Sequence, residues 1–330
     1  MPVSTPERLT MLEARALDVN FPVFQGVLKR QVGSISAVSN VSLSVRRGET
    51  LGLVGESGCG KSTFLKALAA LVKRSQGEVR LDDQIIDPTV QSDLAAFRRS
   101  VQMVFQDPAE SLNSRHSLHQ ILTEPYEIHG LYSPSERIER VQAILDSVGL
   151  GNTSLSKYPH EFSGGQRQRI GVARALTLEP DYLLCDEPVS ALDVSVQAQL
   201  LNLLMELQEA RQLGLLIVAH DLSVVRHISH RVGVMYLGEL VELAPTLPLY
   251  TEPKHPYTEA LLDAVPVPDP TRRNRPRTVL SGEIPSPQNP PAGCRFHTRC
   301  PHAWERCRVE KPTLQMIATD HFAACHRNDT

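Results

Sequence analysis

The sequence predicts an α/β protein: buried strands and helices around a phosphate-cradling loop, with an antiparallel β layer, an inserted helical subdomain and a C-terminal cysteine-containing extension. Three observations carry this reading. Gly55 to Ser62, Gly-Glu-Ser-Gly-Cys-Gly-Lys-Ser, matches the pattern G-x-x-x-x-G-K-[ST]. The flanks are those the pattern requires, an apolar run Thr50-Leu51-Gly52-Leu53-Val54 of buried-strand type before it and helical spacing from Lys61 to Val72 through Phe64, Leu65 and Leu68 after it. Further apolar runs of strand length recur at Val101 to Phe105, Asp181 to Cys185 and Leu215 to Ala219. In such a loop glycines let the backbone approach an anion, N–H groups converge on phosphate oxygens, and the helix that follows adds the positive end of its dipole. Gly55, Glu56, Ser57, Gly58, Cys59, Gly60, Lys61, Ser62 and Thr63 form the expected cradle, with Lys61 reaching the terminal phosphates and Ser62 holding Mg²⁺ by its hydroxyl.

The bulk properties narrow the class. The chain has 330 residues, 41% of them hydrophobic and 22% charged, enough for one large domain and an appendage. A net charge of -3 argues against nucleic acid as a general partner. No apolar run approaches a membrane span, and Met1 to Arg8 lacks an apolar signal core, so a cytoplasmic protein is expected unless something else holds it at a membrane. Six cysteines are too few for a disulfide scaffold, yet Cys294, Cys300, Cys307 and Cys325 all fall in the last stretch.

In chain order, Leu12 to Val23 and then Val38, Val41, Leu43 and Val45 alternate loosely, as an antiparallel layer does before the turn Arg46-Arg47-Gly48-Glu49. Phe21 in the first strand is by type a core residue or a ring able to stack on adenine. Glu78 to Ile86 reads as a hairpin with Asp82-Asp83 at its tip, and the run ending at Phe105 stops at Gln106-Asp107-Pro108. From about 107 to 165 the chain turns polar and helical, with a capping box at Ser133-Pro134-Ser135-Glu136 and a stop at Gly149. Ser163-Gly164-Gly165-Gln166 opens another helix and offers a second anion-binding place; Ser-Gly-Gly alone would be accounted for by an N-capped helix with a flexible entry. Asp186 and Glu187 end a buried run, where carboxylates suit a Mg²⁺ site and a water-activating base. Asp193 precedes a helix with Leu200, Leu203, Leu204 and Leu207 on one face, and His220 closes the next strand, either to meet a phosphate or to cap a helix. Val232 to Leu243 reads as a hairpin turning at Gly238-Glu239, and Lys254 to Val265 as a helix. Residues 1–265 are thus expected to form the main domain, and 266–330 a proline-rich linker with Arg272, Arg273, Arg275 and Arg277 and then the cysteine-containing extension.

Taken together, from about Leu12 to Val265, these motifs resemble ABC-type ATPases: Gly55 to Ser62 as Walker A, Gln106 as the Q-loop, Ser163 to Gln166 as the signature, Asp186 and Glu187 as Walker B and its glutamate, Asp193 in the D-loop and His220 as the switch histidine. Val104-Phe105-Gln106-Asp107-Pro108 and Lys254-His255-Pro256-Tyr257-Thr258 are most similar to the ATP-binding subunits of dipeptide and oligopeptide importers, and the tail from Ser281 resembles their C-terminal extension, above all in the second ATPase of the dipeptide importer. The resemblance implies an ABC-type P-loop ATPase core and an ATP hydrolase coupled to uptake. Ser62, Gln106 and Asp186 would arrange Mg²⁺, Glu187 would polarise the attacking water, and His220 would contact the γ-phosphate. Phe21 stands where the family often has Tyr. Ser163, Gly164, Gly165 and Gln166 would act on the nucleotide of a facing ATPase subunit, a paralogue in a heterodimer. Two transmembrane permeases and a periplasmic or surface solute-binding protein complete the implied complex, which places this chain on the cytoplasmic face of the inner membrane as a peripheral subunit. Cys294, Cys300, Cys307 and Cys325, spaced C-x5-C-x6-C-x17-C, would hold a 4Fe-4S cluster as such extensions do, with zinc as the alternative given His297, His302 and His321 nearby. Cys59 and Cys185 read as small core or loop residues. Import of nickel, glutathione or another small solute is the alternative within the family, and a soluble ABC ATPase of DNA repair or translation is the remote one.

Overall fold

The computed structural model describes residues 10–26, 30–190, 192–265 and 282–329. Arg272, Arg273, Arg275 and Arg277 and most of the proline-rich linker lie outside the described residues.

Two long strands come first, β1 (Met11–Gln25) and β2 (Arg30–Arg46). Their loose alternation has a local cause. In β1 the inward positions are Leu12 and Ala14, then Leu17 and Val19, and the phase changes at Ala16, whose φ is 45°. In β2 the phase changes between Val38 and Val41, at Asn40 with φ 51°. A single residue in the left-handed region re-aims the side chains that follow it, as a bulge does. Next come β3 (Thr50–Val54), buried at every residue, and α1 (Lys61–Leu68). The helix stops four residues short of the expected Val72 because Ala70 turns to φ 53°, after which Leu71 and Val72 both donate back to the Lys66 carbonyl. The hairpin of β4 (Gln76–Leu81) and β5 (Gln84–Ile85) turns at Asp82-Asp83 as expected, with Asp82 at φ 54°.

The middle of the chain runs α2 (Gln91–Ser100), β6 (Val101–Val104), α3 (Pro108–Ser111), α4 (Leu118–Ile128), α5 (Pro134–Ser147), α6 (Gly164–Leu176), β7 (Tyr182–Asp186), α7 (Val194–Arg211) and β8 (Gly214–Val218). The capping box at the start of α5 is present: Ser133 accepts from the Glu136 amide, and Glu136 Oε2 accepts from the Ser133 amide at 2.7 Å. Gly149 follows that helix at φ 69°. The rest runs α8 (Leu222–Ile228), β9 (Arg231–Tyr236), β10 (Glu239–Pro245), α9 (Thr246–Thr251), α10 (Pro256–Ala264), α11 (Glu305–Val309), β11 (Gln315–Ala318) and β12 (His321–Ala323). The β9–β10 turn falls on Leu237 and Gly238, at φ 43° and 81°, one residue earlier than expected, because the two central residues of a tight hairpin turn both take positive φ.

The chain divides into two units. The first comprises Met1–Glu13, Ser44–Thr50 and Arg80–Ile217. In it β8, β7 and β6 lie side by side in that order; β6 and β7 are parallel, with Val101 opposite Tyr182 and Val104 opposite Cys185. Strands β7 and β8 are buried throughout, which is why they read as continuous apolar runs rather than alternations. Helices α4, α5 and α6 pack on one another in the same unit, each with an apolar stripe turned inward. The second unit comprises Ala14–Leu43, Leu51–Val79 and Val218–Thr330. Its strands run β11, β12, β10, β9, β3; β9 and β3 are parallel and the other pairs antiparallel. The core of this unit gathers Val54, Val234, Tyr236, Leu249 and Tyr257 together with Phe296 of the tail, whose ring centroid lies 5.2 Å from that of Tyr236 and 5.4 Å from that of Tyr257.

Candidate functional site

In the second unit, the loop between β3 and α1 is shaped by glycines and filled by a lysine. Gly60 caps α1 at φ 105°, and a side chain there would run into the Ala37 carbonyl. Lys61 is only 4% exposed. Its ammonium donates to the Gly55 carbonyl at 2.7 Å and the Glu56 carbonyl at 3.0 Å, so the positive charge sits inside the loop. Ser57 and Gly58 are exposed at the loop's crest, and Ser62 and Thr63 are half-buried in the first turn of α1. Burial pushes the Cys59 thiol up despite the nearby ammonium, so it is a neutral packing group, as expected. Glu56 spends all its polar groups locally. Its amide donates to the Tyr257 hydroxyl at 2.8 Å, its carbonyl accepts from Lys61, and its carboxylate takes both guanidinium nitrogens of Arg299 at 2.7 and 2.9 Å.

Two other expected residues lie in this unit. His220 is exposed between β8 and α8, and the cap of α8 is made by Asp221, which accepts from the Ser223 amide at 2.7 Å. The capping alternative for His220 therefore gives way. Phe21 is 41% exposed on β1 and so is no core residue, which leaves its ring available for stacking.

In the first unit, Asp186 ends β7 with 3% exposure. Glu187 follows at φ 44°, a left-handed conformation costly for any residue but glycine and most often retained where a side chain must be aimed. Gln106, just past β6, donates through Nε2 to Glu187 Oε2 at 3.0 Å. Two residues 81 positions apart, expected to serve one chemistry, thus meet in a hydrogen bond. In the same unit Ser163 caps α6 in a full capping box: the Gln166 amide donates to its hydroxyl at 3.3 Å and its own amide donates to Gln166 Oε1 at 3.0 Å. Ser163, Gly164 and Gln166 are exposed, whereas a side chain at Gly165 would strike Val196, so α6 and α7 approach closely there. Asp193 caps α7, accepting from the Val196 amide at 3.0 Å and the Ser195 hydroxyl at 2.7 Å. Those two bonds, the hydroxyl first, hold its carboxyl below the usual range.

In the tail, Cys294, Cys300, Cys307 and Cys325 are free thiols that line one cavity of about 20 Å³, with His255, Phe296 and His302 also on its wall. Burial pushes the Cys294 thiol up to about 12, with the neighbouring thiols adding to the effect, and raises Cys300 and Cys325 as well. The donor set is that of a four-thiolate centre, but the cavity has about the volume of one water. Among the described residues, no group of three or more His, Cys, Asp or Glu stands where it could hold a metal ion. His321 is not available to one, since its Nε2 lies 2.7 Å from Glu242 Oε1 in a buried pair.

The sequence reading missed two residues at the loop, Tyr257 and Arg299. The signal for Tyr257 was present in the run Lys254 to Thr258, while a lone arginine 243 positions from its partner carries none.

Comparison with known proteins follows the same lines. Residues 38–190 match the ABC transporter family, and residues 241–307 match the family described as oligopeptide/dipeptide transporter, C-terminal region. The oligopeptide transport ATP-binding protein AppF of Bacillus subtilis is 52% identical over 322 residues, spanning 96% of this chain and 97% of that protein. This chain belongs to the ATP-binding proteins of ABC transporters. The oligopeptide transport ATP-binding protein OppF of Haemophilus influenzae is 47% identical over 329 residues, covering 98% of this chain and 99% of its own length. Among solved structures of this ABC family, cbiO1 of Clostridium perfringens, part of the complex cbiONQ, matches with a TM-score of 0.63 at 26% identity over 74% of this chain and 92% of that one. The ATP-binding cassette MJ0796, seen as a dimer in a post-hydrolysis state bound to ADP and Pi, gives the same TM-score at 28% identity over 71% of this chain and 98% of that one. The α/β cassette with its β layer and helical elements is therefore the family fold. Among the described residues, no helix is long and apolar enough to cross a membrane.

Proposed function

We propose that this chain is the ATP-hydrolysing subunit that powers import of dipeptides or oligopeptides. The names of its relatives at 52% and 47% identity, together with the match of residues 241–307, support the peptide class. In this reading Lys61 and the amides of Gly55–Ser62 hold the β- and γ-phosphates, with the Lys61 contacts to the loop carbonyls exchanged for phosphate oxygens. Ser62, Gln106 and Asp186 hold Mg²⁺, which when bound neutralises charge on the phosphates. Glu187 accepts the proton of the attacking water while Gln106 fixes its carboxylate. His220 reaches the γ-phosphate and Phe21 stacks on the adenine. Ser163, Gly164, Gly165 and Gln166 serve the nucleotide of a second ATPase subunit, a paralogue; the exposure of Ser163, Gly164 and Gln166 and the dimer formed by MJ0796 support this.

The division at 265, with the helical subdomain at about 107–165, belongs to the same reading, as do two permeases, a solute-binding protein and a peripheral place on the cytoplasmic face of the membrane. The four tail cysteines hold a 4Fe-4S cluster, zinc being the alternative; their convergence on one cavity supports a shared ligand. Anaerobically purified protein containing zinc but no iron or sulfide would overturn the cluster.

The observation that carries the catalytic reading is the Gln106–Glu187 hydrogen bond beside the buried Asp186. Glu187→Gln is expected to bind ATP normally and to lose turnover by roughly 10²–10⁴-fold, the contribution of a positioned general base. Phosphate release at the normal rate from the assembled transporter would refute the assignment. Uptake of labelled peptides, nickel and glutathione by cells with and without the gene separates the solute classes.

A further inference from the structure

We infer that Arg299, in the cysteine-bearing tail, is a positioning residue for the phosphate-binding loop: by neutralising and fixing Glu56 it makes the loop's affinity for a nucleoside triphosphate depend on the docked tail. The inference rests on the reading of Gly55–Ser62 as the ATP loop.

Glu56 is the second residue of a loop built to receive polyphosphate, and an unpaired carboxylate there would oppose the ligand's charge. It is not unpaired. Arg299 meets it with both terminal nitrogens in the parallel fork that guanidinium and carboxylate form best. The arginine itself is 7% exposed, with the Tyr236 ring beneath it at 5.9 Å. Its desolvated charge is balanced by Glu56, so each charge of the pair depends on the other. The Tyr257 hydroxyl closes the third side by accepting the Glu56 amide. Glu56 is therefore clamped from two elements distant in sequence, and its carbonyl is left turned to Lys61.

A second strap runs parallel to the first. Arg295 pairs with Glu239 at 2.8 Å and donates to the Leu237 carbonyl, in the β9–β10 turn. The next residue of that turn, Gly238, donates its amide to the Cys59 carbonyl at 2.8 Å. Arg295 and Arg299 both lie between Cys294 and Cys300, so one short tail segment holds the loop at Glu56 directly and at Cys59 through the hairpin turn. The carboxylate and guanidinium make a charge-assisted contact of the strong class, and the cost of losing it falls on the loop that must close over phosphate.

The test is equilibrium binding of a fluorescent ATP analogue with Mg²⁺ to the full chain, with melting temperature followed in parallel. Arg299→Ala is expected to bind about tenfold more weakly, as the loss of one charge-assisted pair implies. Adding Glu56→Gln to it should restore affinity to within roughly threefold of wild type, because the uncompensated carboxylate is gone. Arg299→Lys, which keeps the charge but loses the fork, should fall between them, and it carries the test if the alanine variant does not fold. Binding by Arg299→Ala within about twofold of wild type while Lys61→Ala binds at least about tenfold more weakly would overturn the inference alone. A double variant as weak as Arg299→Ala would overturn it too, since Arg299 would then act only by holding the tail in place. If wild type does not bind the analogue, or Lys61→Ala binds equally well, the ATP-loop reading falls and the inference with it.

Discussion

The chain begins two helices with a serine-and-glycine segment of anion-binding type, and the two are built in opposite ways. Gly55–Ser62 is closed: it turns through left-handed glycines, buries its lysine against its own carbonyls, and is clamped at Glu56 by Tyr257 and Arg299. Ser163–Gln166 is open: its capping box bonds only to itself, its cation content is nil, and three of its four residues face solvent. A helix N-terminus offers the same partial charge in both places. The closed segment adds a fixed charge and a shape, so it can bind alone, whereas the open one offers amides and a hydroxyl that become a site only when a ligand is held from elsewhere.

Variants at the two segments should separate those roles. The largest effect belongs to Lys61→Ala, which is expected to weaken nucleotide binding by the isolated chain roughly 10- to 100-fold, through the loss of charge-assisted contacts; isothermal titration measures it, and unchanged affinity would erase the contrast. Gly165→Ala comes next, since the added methyl meets Val196, and it should lower stability by about 1–3 kcal/mol in a denaturant titration. Ser163→Ala removes the cap of α6 and should cost about 1 kcal/mol while reducing turnover of the assembled transporter. If Ser163→Ala instead weakened nucleotide binding by the isolated chain, the open segment would be serving its own chain's site. The smallest effect is one of pH. The folded carboxyl of Asp193 lies below its unfolded value, so its support of α7 is complete at neutral pH and is lost as the pH falls through the carboxylate range. Asp193→Asn, which keeps a side-chain oxygen for the cap, should show a shallower acid dependence of melting temperature in that window.

What could be read from the sequence follows the distance over which each feature is encoded. Gly55–Ser62, the capping box at Ser133 and the carboxylates after β7 are runs of adjacent residues whose chemistry and backbone demands are local, and they were legible. The start of α1 was legible for the same reason; its end was not, because Ala70 takes a left-handed turn that no glycine or proline announces. The short strands β11 and β12 carry little periodicity; β12 exists by pairing with β10, a partner some 80 residues away, and β11 adds to β12. Glu242 ↔ Ala323 is such a pairing, and so in kind is Glu56 with Arg299. The cysteines stood out by composition, yet their spacing does not say that they surround a space no larger than a water molecule, which only the packing of α10 and the tail determines.

The ion pair between Glu56 and Arg299 joins residues 243 positions apart, and this has a consequence for how the protein is made. At roughly 5–20 residues per second, a ribosome needs about 12–50 s to reach the arginine after the glutamate has been added. During that interval the residues of the loop exist without the arginine that clamps them. Whatever nucleotide affinity the proposed clamp confers therefore arrives only once Arg299 has been made, so a product that stops short of it should be a weak competitor for the nucleotide.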